Sequence, residues 1–227
     1  MQLKLIQAHI DRYKTFLADP KSEEQRALHK WESQQVWQDN WEIESQDLAI
    51  TYDQSLQNST TRRIWNRENY APKKMMLAFL RQLPHLAFFA FQELFNEDKP
   101  IGMRVDRFQY NCETLLTAHR DAFPHDYENS HYHDYAMISH YLAFQFPEFY
   151  TPYQADRFPK LLAAIGSRDI PNHDDIERHF KVSKTLYIFL KKDQELMELH
   201  QQQLTNQYYQ GDSLLLVEDF ARFIADK

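Results

Sequence analysis

The sequence predicts an all-α protein, and three observations predict it. Glycine is scarce, with only Gly102, Gly166 and Gly211 in 227 residues, whereas sheets built on tight hairpins need residues at positive φ. Apolar residues recur at three- and four-residue spacing along most of the chain, the period of a one-sided helix. Prolines fall at the edges of those periodic runs, where a missing amide and a fixed φ open or end a helix. The expectation is a single multi-helix domain of nine to ten helices without significant sheet, with 1–60 and 61–227 as its candidate sub-lobes. At this length folding buries roughly 70% of the extended surface. A composition that is 43% hydrophobic and 15% aromatic supplies the core.

Each element has its own signal. Over 2–17, Leu3, Ile6, Ile10, Tyr13 and Leu17 form one stripe, closed by Asp19-Pro20. Ser22 with Glu23 and Glu24 starts a second helix, since acids favour the positive N-terminal end of the helix dipole; it carries Leu28, Trp31 and Trp37. A third follows Ser45 with Leu48, Tyr52 and Leu56 inward, and the polar run Asn58–Thr61 reads as a loop. Pro72 opens a helix with Met75, Met76, Phe79 and Leu80 behind it. Pro84 opens another that is apolar nearly all round, which places it at the centre of the core. After a connector at 96–102, residues 103–120 form a long helix with Val105, Phe108, Cys112, Leu115 and Leu116 inward, and 121–132 is an irregular polar loop. Tyr135, Ile138, Tyr141, Leu142 and Phe146 share a helix face that Pro147 terminates. An aromatic turn (Phe149, Tyr150, Tyr153) leads to a restart after Asp156. Asn172 or Asp174 caps a helix near 175–181, Ser183 caps a longer one reaching about 206, and a last helix follows Gly211-Asp212-Ser213.

Several function classes are excluded. There is neither a G-x-x-x-x-G-K-S/T nor a G-x-G-x-x-G loop, no H-E-x-x-H and no serine in a G-x-S-x-G setting. No cofactor is implied. The single cysteine, Cys112, cannot form an internal disulfide and suits a reducing compartment; it reads as a small buried apolar residue. No apolar run approaches the ~18 residues of a membrane span. The N-terminus turns polar too early for a signal peptide, so no membrane partner and a cytoplasmic location are expected.

Two clusters could carry chemistry. His119, His125, His131, His133 and His140 alternate with Asp121, Asp126 and Asp134, a mixture able to hold zinc or iron. On a helix, however, His133 and His140 would lie roughly 10 Å apart, and no cysteine pair supports them. The expectation is no metal site, only a solvated, hydrogen-bonded loop. The second cluster is basic: Arg62, Arg63, Arg67, Lys73, Lys74 and Arg81 stand against Glu68 alone, with Trp65 and Tyr70 interleaved. Cations that hold phosphates beside rings that stack on bases form a nucleic-acid surface. Residues 23–53, by contrast, hold eight acids against Arg26 and Lys30. The net charge of −7 argues against a protein coated in nucleic acid but not against a local patch. Acid pairs such as Glu23-Glu24 and Asp174-Asp175 sit at helix starts as dipole partners, so no catalytic constellation is expected.

Read in order, Lys30-Trp31-Glu32 with Trp37-Gln38-Asp39-Asn40-Trp41, Asn69–Pro72 with Met75, Phe91–Glu97, Ile138–Tyr153, Phe158–Gly166 and Leu215–Phe220 form a series. It resembles the N-terminal region that precedes the AAA+ motor of McrB-like restriction NTPases. The resemblance spans nearly the whole chain, and its most specific tract is Tyr141-Leu142 with Phe146–Tyr150. It implies a target-recognition module for DNA, often modified DNA, in a phage-defence restriction system. A motor domain with the GTP-binding motifs and a McrC-type nuclease would then be its partners. The family continues into a Walker A loop where this chain stops at Lys227, so the chain reads as an excised or stand-alone form of that region. No base-contacting motif carries over. The expected function is a non-catalytic specificity or regulatory module contacting DNA through Arg62–Arg81. The alternative is a scaffold that docks a motor or nuclease through Phe149–Tyr153 or the last helix.

Overall fold

A computed structural model describes residues 1–57, 62–124 and 129–225, without the side chains of Arg62 and Arg63. The Asn58–Thr61 loop expected from sequence therefore lies outside the described residues. Among the described residues the regular elements are all helices: α1 (Leu3–Leu17), α2 (Ser22–Gln25), α3 (His29–Asn40), α4 (Leu48–Ser55), α5 (Arg62–Trp65), α6 (Pro72–Gln82), α7 (Pro84–Phe95), α8 (Ile101–Ala122), α9 (Tyr135–Gln145), α10 (Arg157–Ala164), α11 (Ile176–Lys192), α12 (Gln194–Gln202) and α13 (Leu215–Ala225). The all-α expectation holds. Among the described residues the one β-type pairing is an isolated bridge between Arg67 and Tyr70, a tight turn in which Asn69 takes φ 58°.

The chain divides into two compact units, Met1–Glu32 with Phe146–Lys227, and Ser33–Gln145. Their boundaries differ from the sub-lobes 1–60 and 61–227.

In the first unit α13 packs against α1, α10 and α11, and α12 against α1 and α11. Tyr13 meets Phe220 at 5.4 Å and Phe223 at 5.3 Å between ring centroids. The turn after α10 shows why a glycine is needed. Ser167 N–H donates to Leu162 O and Gly166 N–H to Ala163 O, a Schellman closure, and Gly166 takes the left-handed conformation, φ 68°, that this motif requires.

Two sequence expectations fail here for identifiable reasons. The helix expected from Ser22 onward breaks at Arg26, whose ψ of 155° is extended, because its side chain turns inward to a buried carboxylate. The break expected between residues 181 and 183 is absent. Ser183 is fully buried and faces inward, and α11 runs on to Lys192. The real break is at Asp193, whose Oδ1 accepts from Leu196 N–H at 3.0 Å and caps α12. Asp175 likewise caps α11 through Arg178 N–H at 3.0 Å.

In the second unit α7 packs along α8, with α6 against α4, α7 and α8, and α9 against α7. The core is aromatic. Trp37 stacks on Trp41 at 4.4 Å, and Phe91 meets Trp41, Tyr141 and Phe108 at 5.1, 5.3 and 5.4 Å. The tips of three of these rings are paired: Trp37 Nε1 donates to Gln145 Oε1 at 3.1 Å, and the Tyr52 and Tyr141 hydroxyls are 2.6 Å apart. α7, expected at the centre of the core from its nearly all-round apolar sequence, packs against α6, α8 and α9 but keeps one side open. Ala87, Ala90, Phe91 and Leu94 are buried, but Leu86 and Phe89 are 45% and 44% exposed.

Candidate functional site

The basic segment folds into α5, a turn and α6. Pro72 starts α6 at a position where its missing N–H costs nothing. The spacing of Lys74 and Arg81 places them two turns apart on one face of α6, roughly 10 Å along the axis. With Lys73, Gln57, Asn66 and Leu77 they line an open groove of about 730 Å³.

The groove brings together only part of the cluster. Lys73 is engaged: its Nζ lies 2.7 Å from Asp53 Oδ1 and donates to the carbonyls of Asp53 and Leu56 at 3.1 and 3.3 Å, closing the C-terminal end of α4. Burial acts to raise Asp53, but hydrogen bonds from Lys73 and Gln57 and the charges of Lys73 and Arg81 outweigh it and hold the carboxyl below its ordinary value. One acid of the negative stretch thus pairs with one cation of the positive one. Arg67 lies 5.0 Å over the Tyr70 ring. Trp65, expected to stack on bases, is only 2% exposed; its ring packs into the unit and forms the groove's wall. The Arg62 and Arg63 side chains lie outside the described residues.

The expected histidine cluster separates. His125 and Asp126 lie outside the described residues. His119 Nδ1 bonds to Gln82 Oε1, and His140 Nδ1 donates to Ala136 O within its own helix at 2.7 Å. Asp134 caps α9, accepting from Met137 N–H and Tyr70 O–H, both at 2.9 Å. His131 and His133 are different. Separated by Tyr132, which takes φ 61°, their rings stack at 5.7 Å. One donor atom from each, with Cys112 Sγ, lies within 4.8 Å of the others.

The bonds in this group are lopsided. His131 Nδ1 accepts from His133 backbone N–H at 2.9 Å, and His131 Nε2 lies 3.2 Å from Glu113 Oε1. His133 Nε2 reaches Tyr141 Oη at 3.1 Å, while His133 Nδ1 is buried with no hydrogen-bond partner. Burial pushes His133 down to about 3, helped by the neighbouring His131 ring and partly offset by the His131 backbone. Burial also raises the Cys112 thiol well above its ordinary value. An open cavity of about 340 Å³ adjoins the histidine pair, bordered by Tyr70, Gln109, Tyr132 and Asp134. Sequence reasoning weighed His133 against His140 on a helix and overlooked the His131–His133 pair, whose rings stack across a left-handed Tyr132.

The first unit holds a buried ion network instead. Arg26 pairs with Asp219 at 2.7 Å, and Lys30 and Arg157 both pair with Glu218. Every acid here faces a cation or an N–H donor, the arrangement of a structural network. The surface expected to dock a partner is largely internal. Tyr150 and Tyr153 are 6% and 3% exposed and α13 is mostly buried, leaving Phe149 exposed at 45%, with Lys184 Nζ 5.3 Å over its ring.

No family model, curated protein or solved structure matches this chain. No described helix is long and apolar enough to cross a membrane.

Proposed function

We propose that the chain is a non-catalytic recognition module that binds the phosphate backbone of DNA through the α6 groove. The observation that carries this reading is the placement of Lys74 and Arg81 along one open groove. Cations spaced along a helix meet a phosphate backbone without reading sequence, which sets register rather than specificity. The resemblance to McrB-like N-terminal regions points the same way. In this reading hydrolysis and cleavage belong to a AAA+ motor and a McrC-type nuclease, with this module choosing the target. The burial of Tyr150, Tyr153 and α13 takes away most of the surface the scaffold reading needs.

The test is binding of duplex and single-stranded DNA, with and without modified cytosine, across a salt series. Phosphate contacts predict a linear fall of log affinity with log salt, steeper by about 0.9 for each contact on duplex. No binding to any strand, or affinity indifferent to salt, overturns the proposal.

A further inference from the structure

We propose that Cys112, His131 and His133 form a binding site for a zinc-type divalent cation, unconnected with the basic groove. A thiolate with two imidazoles is a borderline-soft donor set that suits zinc. The three donor atoms come from two elements that packing brings together: Cys112 from the buried face of α8, and the two histidines from the lead-in to α9. They lie within 4.8 Å of one another, whereas a tetrahedral zinc site sets neighbouring sulfur and nitrogen ligands roughly 3.5 Å apart. Closing that gap takes a movement of about 1 Å. The non-helical lead-in can supply it while α8 stays fixed.

The second observation is the buried Nδ1 of His133. A buried ring nitrogen without a partner costs stability, and here it belongs to the group that would ligate. Its other nitrogen already meets the Tyr141 hydroxyl, the outer contact that fixes a ligating imidazole's tautomer and orientation. In the metal-bound form Nε2 carries the proton and Nδ1 presents its lone pair. One ring nitrogen of His131 exchanges its present partner for the metal. Cys112 binds as thiolate, its proton passing to solvent as the S–metal bond forms. The open cavity borders both histidines, which gives solvent access to a fourth position. Glu113, already 3.2 Å from His131 Nε2, or a water completes it.

Cobalt(II) titrated into the metal-stripped 227-residue chain tests the site. Cys112 is the only cysteine, so a thiolate-to-cobalt charge-transfer band can arise nowhere else. The expected result is that band saturating at one equivalent, displacement by zinc, and a zinc-dependent rise in Tm. His131→Ala removes a ring that is 12% exposed and stacked on His133, so a thermal melt of the metal-free variant checks that it still folds. The substitution should weaken cobalt binding by more than about tenfold, as should Tyr141→Phe through the orientation of His133. Absence of the band in the wild-type chain overturns the proposal, as does binding that His131→Ala leaves unchanged.

Discussion

Arg26 and Asp219, 193 positions apart in sequence, form a fully buried ion pair. Their side chains are 1% and 3% exposed, and Arg26 Nη2 lies 2.7 Å from Asp219 Oδ2. The same oxygen accepts from Trp31 Nε1 at 3.0 Å. Arg26 also donates to Gln203 Oε1 and His200 Nδ1, both at 2.9 Å. The arginine that breaks the second helix thus ties the α2–α3 turn to α12 and α13.

Removing one member leaves the other charged, buried and unpaired. Asp219→Ala should cost about 3–5 kcal/mol, whereas replacing Arg26 and Asp219 together by apolar residues of similar volume should cost much less. Urea titration checks this through the midpoint, with the slope unchanged. A double variant as unstable as the single one would show that the pair is not the source of the loss.

Protonation of two histidines gives this unit an acid limit. Burial and the Arg26 charge push His200 down to about 3, and burial pushes His179 down to about 4, with the Thr151 and Pro152 backbone and Glu218 opposing. The unfolded chain, with histidines near 6.5, binds more protons than the folded one throughout the intervening range. The stability from keeping each ring neutral is therefore complete above about 6.5 and is lost as pH falls toward the folded values. The slope is about 1.4 kcal/mol per pH unit for each group. Urea midpoints between pH 7 and 4.5 should drop steeply in the wild-type chain and less so in His200→Gln.

Gly166 is the third point of vulnerability. Its φ of 68° disfavours any side chain, and a Cβ there would lie 2.8 Å from the Gln2 side chain. That side chain is flexible and can yield, so the backbone term dominates. Gly166→Ala should cost about 1–2 kcal/mol, and Gly166→Asn less, because asparagine tolerates this region better. Equal losses for both would point to the contact rather than the backbone.

The helices were legible because their signals are local. Pro72 and Pro84 open α6 and α7 where expected, and the stripe Ile6, Ile10, Tyr13, Leu17 is the buried side of α1, whereas the cap of α11 is Asp175 rather than Asn172 or Asp174. What escaped depends on partners distant in sequence. Nothing near Arg26 announces Asp219, so its helix break could not be read. Ser183 looked like a cap because serine often is one, but burial decides its role. Trp65 looked like a stacking ring because it sits among cations, yet the unit's interior takes it. Cys112 and the His131–His133 pair are joined only by the packing of α8 against the lead-in to α9.

On the proposed reading of the α6 groove, Lys73 serves mainly folding while Lys74 and Arg81 serve mainly binding. Lys73 pairs with Asp53 and donates to two carbonyls at the end of α4, so its charge serves the C-terminal end of that helix dipole. Lys73→Met should lower stability by about 1 kcal/mol and leave the salt dependence of DNA binding nearly intact. Lys74→Ala with Arg81→Ala should act mainly on binding. Both residues line the groove, so the salt slope on duplex should shrink by about 1.8 if each meets one phosphate. Thermal melts and binding isotherms on the same preparations check both halves. A Lys73 variant that loses the salt slope would move the binding surface to the α4–α6 junction. A double variant that binds DNA like the wild type would remove the groove from the interface.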